Sequence, residues 1–322
     1  MAHPTPETAP PPGDTRTAGA PERRAVVAVS LSGPEVRYAE VVHEPAADGR
    51  GGAVRLRRLG ALDFAFDAER AVLGSGVEGA LGDVSEGLGE VLGGTAAGVL
   101  VVAAHPTTTT TFFTPLPDGL SGEARDAQLR DEAALLADLP SALAVRVRAV
   151  PVRAEAGPGG GRQWYQVVHV AEPVHTRLSL LADDLGLPAY DLADTTRAAA
   201  ALAGDGASGD GVDVVVGAYG GHTEVAVRRG GALVFAHSGS GPAAEDTAYF
   251  ALAALQHAGL DASAAGRLLT YGTAADPGRL GLVAELLGCA PEPLDPFAAF
   301  ARRPDVSAAE RAAFAPVLGA AL

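Results

Sequence analysis

The stretch VDVVVGAYGGHTEVAVRRGGALVFAHSG, residues 212–239, decides how this chain is expected to fold. It holds three apolar, β-branched runs, and the turn between the first two contains Gly217, Gly220 and Gly221. Runs of this kind separated by glycine-rich turns predict an antiparallel meander of three strands. The turn from Gly217 to Thr223 has two interpretations. It simply reverses the chain, or it brings backbone N–H groups close to a phosphate.

Composition restricts the classes of partner. The chain has 322 residues, 48% of them hydrophobic, which is enough for one large or two medium-sized domains. Its formal net charge of −15 argues against nucleic acid and against an anionic membrane surface, because both attract basic proteins. Basic peptides or basic protein faces are the better electrostatic match.

Missing residue types restrict the chemistry. The chain contains no lysine, which excludes a P-loop lysine, a Schiff base and the lysine of a kinase active site. Cys289 is the single cysteine, so the chain forms no internal disulfide and no thiolate metal cluster. No segment approaches the ~18 apolar residues of a membrane-spanning helix, and the first residues lack the basic-then-apolar order of a signal peptide. We therefore expect a cytoplasmic protein that does not insert into the membrane.

Two polar segments divide the chain. Residues 1–24 are rich in proline and nearly free of large apolar side chains, which predicts a disordered tail. Residues 204–211, GDGASGDG, form the expected linker between a first lobe, residues 25–203, and a second lobe, residues 212–322. Each lobe opens with a three-strand meander and continues with helices and strands, so the order predicts two similar α/β units. The first lobe's patterns are strands at 25–31, 36–43 and 53–62, helical spacing over 67–94 and a buried strand at 98–105.

Several segments together resemble the actin-like (ribonuclease-H-like) superfamily, and within it the PilM family of type IV pilus assembly and its type II secretion counterparts. SLSGPEVRYAEV, residues 30–41, occupies the place of the family's first phosphate loop, and residues 212–239 match its second phosphate hairpin. Residues 115–136, PLPDGLSGEARDAQLRDEAALL, resemble the proline-containing segment before an Ala/Glu-rich helix. Residues 268–297 resemble the strand, glycine turn and helix of the adenosine side, and FAPVLGAAL at 314–322 resembles the family's usual end. The order of these segments carries the resemblance.

The resemblance implies an α/β protein of the actin-like fold, with two similar lobes that each contain a mixed sheet flanked by helices. It also implies a nucleotide site for ATP and Mg²⁺ between the lobes. The positions that correspond to the two phosphate loops and the adenosine turn are Ser30, Ser32, Gly33, Gly217, Gly220, Gly221, Thr223 and Gly272.

The same resemblance exposes departures from ATP-using relatives. In those proteins a carboxylate in each phosphate loop orients Mg²⁺ or the attacking water. This chain has Ser30 and Val215 at the two positions, and the general base has no clear counterpart, although Asp118 and Glu132 are candidates. We therefore expect a degenerate site, that of a pseudo-ATPase, to which no catalytic residue is assigned.

Two further patterns have alternative interpretations. His222 and His237 can approach each other across neighbouring strands, but two histidines without a third ligand make a poor metal site, so no metal is expected. TTTTTFF, residues 107–113, predicts an exposed edge strand, and the alternative is a docking edge for a partner peptide.

The resemblance implies a cytoplasmic adaptor at the inner face of the cytoplasmic membrane, which binds the basic peptide tail of an inner-membrane assembly protein. The alternative is an ATPase or small-molecule kinase of the same superfamily, which requires a Mg²⁺-orienting carboxylate that the loops lack. A third interpretation is ATP bound as a static ligand without hydrolysis.

Overall fold

The computed structural model describes most of the chain. The described residues are 24–44, 52–74, 79–106, 109–136, 145–156, 160–204, 211–300 and 303–322. The predicted tail lies outside them except for Arg24, and so does the predicted linker except for Gly204 and Gly211.

The first sheet has five strands in the order β3-β2-β1-β4-β8. The first three strands form the predicted antiparallel meander, and β4 and β8 continue the sheet in parallel with β1. Residues 26–31 of the central strand are all buried, which explains the continuous apolar run in this part of the sequence. The strands are β1 (Arg24–Ser32), β2 (Glu35–Glu44), β3 (Ala53–Asp63), β4 (Val99–Ala104) and β8 (Tyr190–Asp194).

Three helices cover one face of this sheet: α1 (Ala68–Leu73), α2 (Ala80–Leu92) and α4 (Glu172–Asp184). The helical spacing over residues 67–94 contains two of them. Asp67 caps the first by accepting a hydrogen bond from the Arg70 backbone N–H at 2.8 Å, and that helix ends at Gly74.

A three-stranded antiparallel sheet interrupts the first lobe, in the order β5-β7-β6. Its strands are β5 (Thr110–Pro117), β6 (Val145–Glu155) and β7 (Arg162–Ala171), and α3 (Gly122–Leu136) packs on one face through Leu129. The strand predicted at 107–113 overlaps β5, which is an edge strand of this sheet, and residues 107 and 108 lie outside the described part. The predicted exposure is not found, because Thr110 is the only exposed residue among 109–113.

The second sheet repeats the topology of the first, in the order β11-β10-β9-β12-β13. The central β9 is buried along its whole length, as the run from Val212 predicts. Helices α6 (Ala244–His257) and α7 (Pro277–Leu287) pack on one face. The strands are β9 (Val212–Ala218), β10 (His222–Arg229), β11 (Ala232–Ser240), β12 (Ala265–Tyr271) and β13 (Pro291–Pro293).

The described residues also contain the short α-helices α5 (Thr195–Ala201), α8 (Ala308–Ala312) and α9 (Ala315–Ala321). Although α9 ends the second half of the sequence, its Val317 and Leu318 pack with Val26 and Ala28 on the first sheet. Residues of α5 pack with β9 and β10 of the second sheet. Each lobe therefore contributes a short helix that packs on the sheet of the other lobe. Within the described residues, no helix combines the length and the apolar character needed to span a membrane.

Candidate functional site

The cleft between the lobes lies where the parallel strands of both sheets end. His105 directly follows β4, Asp194 is the last residue of β8, and Tyr271 is the last residue of β12. Open α/β sheets bind ligands in the crevice outside the carboxyl ends of their strands. The three residues belong to one polar cluster that is buried between the lobes, and this cluster is the candidate site.

Glu224, on β10, is the centre of the cluster and is fully buried. Its Oε1 lies 2.5 Å from Nδ1 of His105 and accepts a hydrogen bond from Oγ1 of Thr195 at 2.7 Å. Its Oε2 accepts from the hydroxyl of Tyr271 at 2.6 Å. Nε2 of His222 lies 3.4 Å from Oε1. Since His105 and Thr195 belong to the first lobe and the other residues to the second, this carboxylate joins the two.

The protonation states follow from burial and charge. Burial alone would raise the pKa of Glu224, but the charge of His105 and the hydrogen bonds from His105 and His222 outweigh it and hold the pKa well below the usual range. Burial alone would lower the pKa of His105, and Glu224 raises it above the ordinary value. The two residues therefore form a buried ion pair of imidazolium and carboxylate.

The pKa of Asp194 is shifted in the opposite direction from that of Glu224. Burial and, more weakly, the nearby charge of Glu224 raise its pKa to about 6, although the hydrogen bond from the Arg197 backbone N–H opposes the shift. Its Oδ1 accepts that bond at 2.8 Å and so caps α5, and its Oδ2 accepts from Thr111 Oγ1 at 3.2 Å.

Aromatic rings fill the space beside the glycine hairpin. The rings of Tyr219 and His222 stack with centroids 4.6 Å apart, and the ring of His105 meets Tyr219 edge-on at 4.5 Å. A Cβ on Gly217 would lie 2.4 Å from Cζ of Tyr271, so this position is glycine because the tyrosine ring lies against it. Burial raises the pKa of both tyrosines well above the usual value, which keeps them neutral.

Arg279, on α7, binds the tip of the glycine hairpin through hydrogen bonds from its guanidinium group. Its guanidinium donates to the backbone carbonyls of Tyr219, His222 (2.8 Å) and Gly241 (3.2 Å), and to Oγ1 of Thr223 at 2.7 Å. The side chain is almost completely buried, and burial lowers its pKa. Its donors are thus used by the protein's own backbone.

The structure brings both predicted phosphate loops to the cleft, but most of the predicted residues make contacts within the protein. Ser30 is buried within β1 and Ser32 ends that strand. Gly33 has φ of +57°, as its turn requires, and its N–H donates to Oε2 of Glu69 at 3.0 Å. A carboxylate therefore already occupies the anion-binding side of this amide, which does not fit a phosphate at the same place.

Predicted residues of the second phosphate hairpin also make contacts within the protein. Tyr271 covers Gly217, and Arg279 binds Thr223. Gly272 has φ of +93°, and a Cβ there would lie 2.4 Å from the carbonyl oxygen of Ala218, so the close approach of the backbone explains this glycine. Gly220 and Gly221 face open space, with no atom within 4 Å of an added Cβ.

An open cavity lies beside Gly272, and its size falls within the range of about 300–1,000 Å³ that is typical of ligand pockets. This cavity has a volume of ≈ 770 Å³ and is lined by Glu35, Arg37, Asp276 and Phe314, among others. The candidate bases lie elsewhere: Asp118 is exposed in the turn after β5, and Glu132 accepts a hydrogen bond from Gln128 on α3.

The sequence interpretation missed most of the cluster. His222 meets His105 and Glu224, whereas His237 lies opposite Val225 in the sheet. One signal was available for Glu224, because an acidic residue within an apolar run predicts a buried charge that needs a partner. His105 and Asp194 each end a buried strand, the position at which ligand-binding residues collect in α/β sheets.

No family model and no curated protein matches this chain. Among solved structures, a chain of the PilM–PilN type IV pilus biogenesis complex is 15% identical, with a TM-score of 0.66 over 92% of this chain and 97% of that chain. A Bacteroides thetaiotaomicron protein of unknown function, described as having an actin-like ATPase fold, is 11% identical, with a TM-score of 0.51 over 85% of this chain and 91% of that chain.

This chain has the actin-like ATPase fold. The fold class predicted from the sequence is thereby confirmed, as is the resemblance to PilM at the level of fold. The two five-stranded sheets with the same strand order are the two lobes of that fold.

Proposed function

We propose that this protein is a cytoplasmic adaptor that binds an extended peptide of a membrane-anchored partner in a groove between β8 and β6. Two observations support a binding role without catalysis: side chains fill the centre of the cleft, and internal contacts occupy most phosphate-loop positions. The fold likeness to a chain of a pilus biogenesis complex supports an assembly partner.

The groove has two strand edges that are available for pairing, and this observation carries the proposal. Among the described strands, β8 pairs only with β4, and β6 pairs only with β7. A cavity of ≈ 540 Å³ lies between them, and a second of ≈ 190 Å³ shares Arg148, Asp191 and Leu192 with it. An extended peptide that pairs with a free edge gains backbone hydrogen bonds, while its alternate side chains enter the cavity.

The lining predicts what the peptide contains. The walls are largely aliphatic, with Val101, Val150 and Val168 facing the cavity, so apolar side chains at alternate positions fit it. The rim carries both signs of charge, with Arg148 and Asp191 paired across it. The net charge of −15 favours basic residues on either side of the apolar segment rather than inside the groove.

A second groove is less suitable for a strand. It lies between β5 and β11, has a volume of ≈ 730 Å³ and is lined in part by Trp164. The rings of Phe113 and Phe235 already meet across it, with centroids 5.0 Å apart. In addition, β5 carries two prolines without an N–H to donate, Pro115 and Pro117, whereas β6 carries one, Pro151.

The test measures binding of labelled synthetic peptides by fluorescence anisotropy. The peptides are the cytoplasmic segments of single-span membrane proteins encoded beside this chain's gene. Val150 is half-buried in the groove, so Val150→Arg should abolish binding of the peptide. Leu180→Arg is the matched control, because Leu180 is exposed on α4 and does not line the groove.

Trp164 is the only tryptophan and reports on the other groove. Peptide that binds between β8 and β6 should leave its emission unchanged, whereas a shift in emission would place the peptide between β5 and β11. Equal affinity of the Val150→Arg variant and the wild type would refute the proposed groove. A peptide with its basic residues replaced by glutamate should bind more weakly, and the difference should shrink with added salt.

The alternative, an ATPase or small-molecule kinase, has one observation in its favour. Gly220 and Gly221 face open space, and the ≈ 770 Å³ cavity lies beside Gly272. Calorimetric titration with Mg-ATP tests it, with Gly220→Val as the variant, because a Cβ at Gly220 meets no atom within 4 Å. Micromolar binding that is lost in this variant would establish a nucleotide site, and an ATPase assay would then separate turnover from static binding. Absence of heat and of any thermal shift at millimolar ATP would exclude the nucleotide site and leave the adaptor function as the remaining proposal.

A further inference from the structure

Three donor atoms converge at the buried centre of the cleft. They are Nδ1 of His105, Nε2 of His222 and an Oε of Glu224, and all lie within 4.8 Å of one another. Nδ1 of His105 is 3.3 Å from Nε2 of His222, and Oε1 of Glu224 is 3.4 Å from that same Nε2 and 2.5 Å from Nδ1. Ligands on a tetrahedral zinc ion with bonds of ~2.0–2.1 Å are separated by ~3.3 Å. Two of the three separations already match, and the third requires the Glu224–His105 pair to open.

The donor types select the class of ion. Two imidazole nitrogens and one carboxylate oxygen are a ligand set of zinc sites that keep a fourth position open. Mg²⁺ and Ca²⁺ prefer oxygen ligands throughout, so the two imidazoles disfavour them. Oγ1 of Thr195 lies 2.7 Å from Oε1 of Glu224 and 3.3 Å from Nδ1 of His105, so this hydroxyl is next to two of the three donors.

The surrounding groups hold the ligands in place. The hydroxyl of Tyr271 binds Oε2 of Glu224 at 2.6 Å, which leaves Oε1 facing the imidazoles. The ring of His222 is stacked on Tyr219, which fixes its orientation. Outer contacts of this kind orient metal ligands and increase affinity. His222 has a side-chain exposure of 14%, so an ion can enter from its side, whereas the other two ligands are fully buried.

We propose that His105, His222 and Glu224 bind one divalent transition-metal ion of the zinc class, and that this ion fastens the two lobes together. His105 follows β4 of the first sheet, and His222 and Glu224 lie on β10 of the second, so one ion cross-links both lobes. The ion takes the place of the proton that the two buried side chains share, and it neutralises the same carboxylate. None of the three ligands lines the peptide groove between β8 and β6.

The test is a titration of the untagged, metal-free protein with Zn²⁺ by calorimetry and with Co²⁺ by visible absorption. We expect one ion per chain, a rise in melting temperature on addition of Zn²⁺ but not of Mg²⁺, and the intense absorption of four-coordinate Co²⁺. His222→Ala should weaken Zn²⁺ binding at least about 10-fold. His257→Ala is the matched control, because His257 is exposed on α6 and stacks on Phe235 away from the cluster.

A second variant tests whether a loss of Zn²⁺ binding comes from misfolding. Glu224→Gln keeps the shape of the side chain but removes its charge, and it should also lose Zn²⁺ binding. Melting curves of both variants without metal show whether each still folds. Equal Zn²⁺ binding by the wild type and the His222→Ala variant would assign the ion to other histidines and overturn the proposal, as would absence of binding by the wild type. Hydrogen exchange gives the position: Zn²⁺ should protect the end of β4 and the start of β10 in the wild type only.

Discussion

The raised pKa of Asp194 makes a quantitative prediction for the Asp194→Asn variant. Asp194 is 2% exposed, and its pKa rises from the ordinary value of 3.8 to about 6. That difference corresponds to about 3 kcal/mol, by which ionisation of Asp194 favours unfolding at neutral pH. Asparagine is also a good N-cap, so the variant keeps an oxygen for the Arg197 N–H. Its amide NH2 cannot accept the hydrogen bond that Thr111 donates to Oδ2, a loss of about 1 kcal/mol. We expect a net gain of about 2 kcal/mol at pH 8.

The sign of the pH dependence follows from the order of ionisation. Below about pH 4 the carboxyl group is protonated in both states, so the wild type and the variant should have similar stability. As the pH rises from about 4 to 6, the unfolded chain releases its proton first, and the wild type loses stability relative to the variant.

The measurement is the melting temperature of both proteins between pH 4 and pH 8, with Asp191→Asn as the control. Asp191 is also on β8, but its side chain is 36% exposed and paired with Arg148, so this variant should change stability by at most about 1 kcal/mol. An Asp194→Asn variant that is less stable than the wild type at pH 8, or whose difference does not vary with pH, would refute the reasoning.

Two further predictions concern the hairpin. Gly217→Ala places a methyl group against the ring of Tyr271 and should cost about 1–3 kcal/mol of unfolding free energy in denaturant titrations, whereas Gly220→Ala, which faces open space, should cost far less. A smaller loss for Gly217→Ala than for Gly220→Ala would contradict the assignment. Arg279→Gln leaves several buried carbonyls without their donor and should lower stability by about 3 kcal/mol or more. Arg303→Gln, at a side chain that is 58% exposed, should have little effect, and equal losses in the two arginine variants would argue against a structural role for Arg279.

Much of the fold was predictable because the sequence patterns are local. The runs at 25–31 and 212–218 are apolar on both faces and become the central strands of the two sheets. The helical spacing over 67–94 was correct in type, but it contains two helices, since Asp67 caps the first and glycines follow it. The position of α9 was not predictable from its place in the chain, because its apolar face fits the first sheet only once both lobes have formed.

The candidate site was predictable only in outline. The glycine-rich turns at the predicted phosphate-loop positions follow directly from residue type, and their role in nucleotide binding stays a prediction. The contacts of these positions were not predictable from the sequence, since the hydrogen bond from Gly33 to Glu69 joins residues that are 36 positions apart. The pair of His105 and Glu224 spans 119 positions, and no periodicity relates them.

The sequence by itself determined the two meanders, the acidic charge and the absence of lysine, because each depends on residue type and short spacing. The tertiary structure decided which side chains meet at the centre of the cleft. Only when the lobes close do His105, Thr195 and Tyr271 reach Glu224. Only then do β8 and β6, each unpaired on one side among the described strands, lie along one groove. A buried charge is stable only with its partners in place, and those partners come from strands that meet through packing rather than through sequence.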